Sequence, residues 1–127
     1  MSGTLIGVGI DLVDVDELDV LLVTSGGAFL ETAWTAKELG QSAGQSRRLA
    51  ACWAAKEAAM KALGIGLGDI DPLEVEVDMD DQRKPIIRLS GQAKTASDQQ
   101  GVADLAISVA RDRRWVIATA VAVGNER

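Results

Sequence analysis

The sequence predicts an α+β fold in which one long helix packs on a mainly antiparallel sheet. Three observations carry that prediction. Ser46 to Gly64 reads as a single long helix, rich in alanine, leucine, methionine, lysine and glutamate, all strong helix formers. Trp115 to Val123 is an apolar run suited only to the centre of a sheet. Glu74 to Asp78 and Pro85 to Leu89 flank a charged turn, Asp80 to Lys84, as the arms of a hairpin do. At 127 residues the chain is one domain, residues 1–127, large enough to bury a core.

Leu5 to Ile10 is a short β-branched strand that Asp11 ends. Asp14, Asp16, Glu17 and Asp19 alternate with Val15, Leu18, Leu21 and Leu22, which makes an amphipathic helix with an acidic outer face. Ser25-Gly26-Gly27 breaks the chain, and Ala28 to Trp34 forms one or two helical turns. Thr35 with Glu38 three residues later is a capping box. Gly40 to Gln45 is a polar loop into the long helix, which Ser46 caps and Gly64 ends. Leu49, Trp53, Met60 and Leu63 supply its buried stripe. After the glycine-rich loop IGLGDIDP and the hairpin come a helix from Gly91 to Gln100, a strand from Ala103 to Val109, and a charged turn from Arg111 to Arg114.

Composition excludes several kinds of chemistry. There is no histidine, so imidazole acid–base catalysis, histidine-containing triads and histidine-ligated zinc are ruled out. The single cysteine, Cys52, makes neither an intramolecular disulfide nor a metal cluster. Any metal would be a hard cation held by oxygen. A net charge of −6 argues against nucleic acid or an anionic membrane as partner. No apolar run spans a bilayer and no signal-type N-terminus is seen, so the expected location is cytoplasmic.

The best candidates for chemistry are Glu57 and Lys61, four positions apart on one face of the long helix. A carboxylate and an ammonium there could serve a metal and a phosphate, or form a solvated ion pair of the kind helices commonly carry. Gly64 and the glycines after it could let backbone N–H groups approach a phosphate, although the spacing fits no standard phosphate-binding fingerprint.

Gly7-Val8-Gly9-Ile10-Asp11-Leu12-Val13, Trp34-Thr35-Ala36-Lys37-Glu38 and Trp53-Ala54-Ala55-Lys56-Glu57 with Lys61-Ala62-Leu63-Gly64 together resemble the small holo-acyl-carrier-protein synthases, the AcpS type of phosphopantetheinyl transferase. The similarity extends to Lys84-Pro85 and Gly91-Gln92-Ala93. It implies the AcpS-type fold and a homotrimer with sites between subunits. It also implies a Mg²⁺-dependent reaction in which a carrier-protein serine attacks the β-phosphate of coenzyme A. Two carboxylates from separate elements suit a Mg²⁺ that keeps several waters, and fixed cations suit the charge that builds on the pyrophosphate. The resemblance places the metal at Asp11 and Glu57, and coenzyme A contacts at Lys56, Lys61, Gly64 and Ser108. On the same resemblance Glu57 and Lys61 are the expected catalytic pair. The partner would be an acyl or peptidyl carrier protein.

The chain departs from the family pattern in three places. Glu17 stands where the family has an arginine that grips an acidic carrier helix. Cys52 replaces a basic residue, and Ala106-Ile107-Ser108-Val109-Ala110 keeps one serine of a Ser-x-Ser-His pattern. Arg111, Arg113 and Arg114 either supply the missing charge or form a solvated turn. The alternative function is therefore a catalytically impaired AcpS-fold protein, acting as a binding or assembly partner in a carrier-protein pathway.

Overall fold

The structure, a computed structural model, describes residues 3–66, 68–79 and 85–125. Its elements in order are β1 (Thr4–Asp14), α1 (Val15–Ser25), α2 (Gly27–Ala33), α3 (Ala36–Ser42), α4 (Ser46–Ala62), a 3₁₀ turn (Pro72–Glu74), β2 (Val75–Asp78), β3 (Ile86–Leu89), α5 (Gly91–Gln99), β4 (Val102–Asp112) and β5 (Trp115–Gly124). The α+β architecture is as expected, with every strand pair antiparallel. The strands form two sheets: β1-β5-β4, with the apolar β5 in the middle, and a separate β2-β3 pair. The predicted turn between β2 and β3, Asp80 to Lys84, lies outside the described residues.

Several boundaries differ from the sequence reading, each for a local reason. Asp11 does not end β1. The strand runs on to Asp14, because β5 supplies a partner for every residue from Gly7 onward. Gly40 to Ser42 belong to α3, and the break comes at Ala43 (φ 50°) and Gly44 (φ 74°). Ser46 does not cap α4. Gln45 holds the cap position without a side-chain bond, while the Ser46 hydroxyl donates to Asp19 Oδ1 and ties α4 to α1. The helical stop at Gly64 is as expected. Its N–H donates to the Lys61 carbonyl at 3.0 Å, and the next N–H, from Ile65, reaches back to Met60 at 3.0 Å. This is a Schellman turn, and Gly64 supplies the left-handed residue at φ 69°.

The capping box at α3 forms as predicted, with Thr35 and Glu38 each accepting from the other's backbone N–H. Asp14 caps α1 by accepting from the backbone N–H groups of Asp16 and Glu17, and pairs at 3.4 Å with Arg114. Arg114 also lies over the Trp115 ring and accepts the Val15 N–H at its carbonyl. That member of the arginine cluster is therefore a structural anchor.

The core is the interface between α4 and the sheet, and it is built of small residues. Ala54, Ala55, Ala58, Ala59 and Ala62 of α4 and Ala118, Ala120 and Ala122 of β5 are at most 2% exposed. Helix α4 is thus buried well beyond the four-residue stripe expected, with only Trp53 of that stripe part-exposed. Trp34 closes one end, its indole N–H donating to the Leu49 carbonyl and its ring edge-on to Phe29.

Candidate active site

Two glycines set the site. Gly7 and Gly9 lie on the same face of β1 as Asp11, and α4 crosses directly over them. A Cβ added at Gly9 would stand 1.9 Å from the Ala58 carbonyl oxygen, and one at Gly7 would stand 2.0 Å from that of Ala62. No side chain fits there, so strand and helix meet backbone to backbone. Asp11, the next residue on that face, therefore meets the helix at the level of Glu57 and Lys61. In the sequence alone both glycines stand only as part of a motif, with no task of their own. Their signal is legible in hindsight: two glycines at period two face an alanine-rich helix.

The structure brings Asp11, Glu57 and Lys61 together. Lys61 Nζ lies 3.2 Å from Asp11 Oδ1 and 3.0 Å from the Ile10 carbonyl oxygen. Among the described residues, Lys61 makes no ion pair with Glu57. The i,i+4 pair that spacing alone suggests is replaced by a link between helix and strand. Glu57 is half-buried. Burial, and then the negative charge of Asp11, push its carboxyl above the ordinary value of 4.5, while Lys61 opposes the shift.

As a cation site the donors are consistent with a hard ion: two carboxylates from separate elements, which suits Mg²⁺ with its remaining positions filled by water and substrate. No cluster of three or more His, Cys, Asp or Glu occurs among the described residues.

Other expected site residues lie elsewhere. Lys56 is fully buried. Its ammonium bonds Glu38 Oε1 at 2.7 Å and the Pro72 carbonyl at 2.9 Å, so it is engaged in the core. This corrects the expectation of a phosphate contact: a side chain held by a buried carboxylate cannot also reach solvent. Glu38 is equally committed, accepting from the N–H groups of Thr35 and Val77 as well. Cys52 is buried on the same side of α4, where burial and the nearby Glu38 push its thiol far up, leaving it protonated and inert. The Gly64 N–H, spent on the Schellman turn, is not offered to a phosphate. Ser108 is exposed and pairs in register with Thr119, on the sheet face opposite α4. Within one chain it cannot join Asp11.

The family model described as the 4′-phosphopantetheinyl transferase superfamily matches residues 7–120. The chain is 35% identical over 123 residues to the holo-[acyl-carrier-protein] synthase of Herpetosiphon aurantiacus, covering 91% of this chain and 97% of that one. The chain belongs to the holo-acyl-carrier-protein synthase family. A second family member, from Ruminiclostridium cellulolyticum, is 36% identical over 118 residues, covering 89% of this chain and 88% of that one.

Solved synthase structures share the fold. The Plasmodium yoelii acyl carrier protein synthase with ADP bound superimposes with a TM-score of 0.88 at 25% identity, covering 99% of this chain and 100% of that one. The Helicobacter pylori holo-[acyl-carrier-protein] synthase in complex with coenzyme A gives 0.80 at 27% identity, covering 91% and 98%. The synthase family thus accounts for the whole fold, and the motif glycines of β1 have a physical task within it. No helix in the described residues is long and apolar enough to cross a membrane.

Proposed function

We propose that this protein transfers 4′-phosphopantetheine from coenzyme A to a serine of an acyl or peptidyl carrier protein, with Mg²⁺ as the metal. The observation that carries the reading is the convergence of Asp11, Glu57 and Lys61 where β1 meets α4. Asp11 and Glu57 would hold the ion, and Lys61 would face the pyrophosphate. Bound there, Mg²⁺ would supply positive charge against the developing charge of the phosphate oxygens. The serine hydroxyl attacks the β-phosphorus, and adenosine 3′,5′-bisphosphate leaves. A carboxylate of the pair would take the serine proton. The Helicobacter pylori relative's complex with coenzyme A supports that substrate.

The working form in this reading is a homotrimer with sites between protomers. Leu5, Val8, Ile10 and Leu12 of β1 are all more than half exposed, and with Ile117 they give the sheet an apolar outer face. Ser108 lies on that same face, so it would reach the nucleotide bound at a neighbouring protomer's Asp11 and Glu57.

One observation favours the second reading, a catalytically impaired assembly partner. Helix α1 turns Asp16 and Glu17 to solvent, which repels an acidic carrier helix. Mass spectrometry decides between the two. Mixed with Mg²⁺, coenzyme A and a panel of apo carrier proteins, the protein should add one phosphopantetheine to at least one carrier. No modification, together with no coenzyme A binding by calorimetry, would overturn the transferase reading.

A further inference from the structure

Lys61 bonds the carboxylate that the proposed function assigns to a divalent cation. Its Nζ is held at one end by Asp11 Oδ1 at 3.2 Å and by the Ile10 carbonyl at 3.0 Å. Asp11 is mostly covered, with its side chain 17% exposed, while the Lys61 side chain is 52% exposed. The carboxylate is thus fixed on the strand, and the ammonium, on a flexible four-carbon stem, is the partner free to move. An ammonium and a divalent cation cannot share one carboxylate at contact distance without strong mutual repulsion. Of the two cations the ammonium is the one that can move aside and relieve that repulsion, because it is half exposed on a flexible stem.

We propose that Lys61 is the resident counter-cation of the Asp11–Glu57 pair, and that its ammonium leaves Asp11 when a divalent cation enters. The inference rests on the metal reading of those two carboxylates. While the ammonium sits on Asp11, it offsets one of two negative charges packed against α4. Once displaced, it stays on the same helix face as Glu57 and brings its charge to the phosphate side of the ion. Lys61 therefore does two jobs in succession, and its cation is presented to the substrate only in the loaded site.

The test uses the full chain and Mg²⁺ alone. Calorimetric titration of Mg²⁺ into wild type, Lys61→Met and Lys94→Met should show about tenfold tighter binding for Lys61→Met, since a competing cation is gone. Lys94, which pairs with Asp98 on α5, serves as the control and should leave the affinity unchanged. Removing any nearby positive charge tightens cation binding, so a second readout is needed. In wild type, the NMR signals of the Lys61 side-chain terminus should shift with the same midpoint as the calorimetric curve. Unchanged or weaker Mg²⁺ affinity in Lys61→Met would overturn the proposal, as would Lys61 signals that stay fixed at saturating Mg²⁺. If Glu57→Gln abolishes Mg²⁺ binding while Lys61→Met has no effect, the metal reading survives and this proposal alone fails. If wild type and Lys61→Met both bind no Mg²⁺, both fail.

Discussion

Gly9 of β1 sits beneath the carbonyl of Ala58 on α4 with no room for a side chain between them: a Cβ there would come within 1.9 Å of that oxygen. Ordinary van der Waals contact needs nearly twice that distance, so strand or helix backbone would have to yield. Asp11 is two residues further along the same face, and Glu57 precedes Ala58, so a shift at this contact moves one carboxylate relative to the other.

Gly9→Ala should accordingly cost about 1–3 kcal/mol or more through overpacking. It should also impair activity more than stability, because it separates Asp11 from α4. Urea denaturation gives the first quantity and transfer kinetics on the folded fraction give the second. Wild-type stability and rate in this variant would show that the close approach is dispensable.

Glu57→Gln should abolish phosphopantetheine transfer, with a drop of about a hundredfold or more. Near-normal turnover by the mass-spectrometric assay would remove Glu57 from both the metal pair and proton transfer.

The same variant has a pH signature in the metal-free protein. Folding raises the Glu57 carboxyl above 4.5, so above that pH the native state holds more protons at this group than the unfolded chain does. Its contribution to stability then falls as pH rises through that window. Wild type should lose stability relative to Glu57→Gln as pH rises above about 4.5. Denaturation curves whose separation does not change with pH would refute the shift.

Lys56→Met should destabilise the fold by about 3–5 kcal/mol, because it leaves the Glu38 carboxylate buried without its cation. Pairing it with Glu38→Gln should recover part of the loss, which a double-mutant cycle by urea denaturation would measure. Simple additivity would mean that the two side chains are not coupled.

The apolar outer face of the sheet makes a prediction about assembly. Val8, 56% exposed, points away from α4, so Val8→Glu should leave the monomer fold intact while placing charge in the proposed trimer contact. Sedimentation should report a trimer for wild type and a smaller species for the variant. A wild-type monomer would exclude the inter-protomer site.

Much of this was legible in the chain itself. The long helix, the hairpin, the central β5, the Thr35–Glu38 capping box and the Gly64 stop follow from local rules of period, capping and turn chemistry, and those rules act within a few residues. The motifs around Asp11 and Glu57 were enough to indicate the family. What the sequence could not assign was the partner of each charge. Lys56 and Lys61 are five residues apart, which turns them about 140° around a helix. Spacing says that they differ in direction but not which one faces the core. Packing decided it: α3 and β2 cover the side of α4 where Lys56 meets Glu38, and β1 approaches the side where Lys61 meets Asp11. Sheet pairing likewise put Ser108 on the face opposite α4, a matter of register with β5 that no local pattern encodes. The sequence alone determined which residue types could do the chemistry. Tertiary structure chose which of them meet, because those contacts join strands and helices some fifty residues apart in the chain.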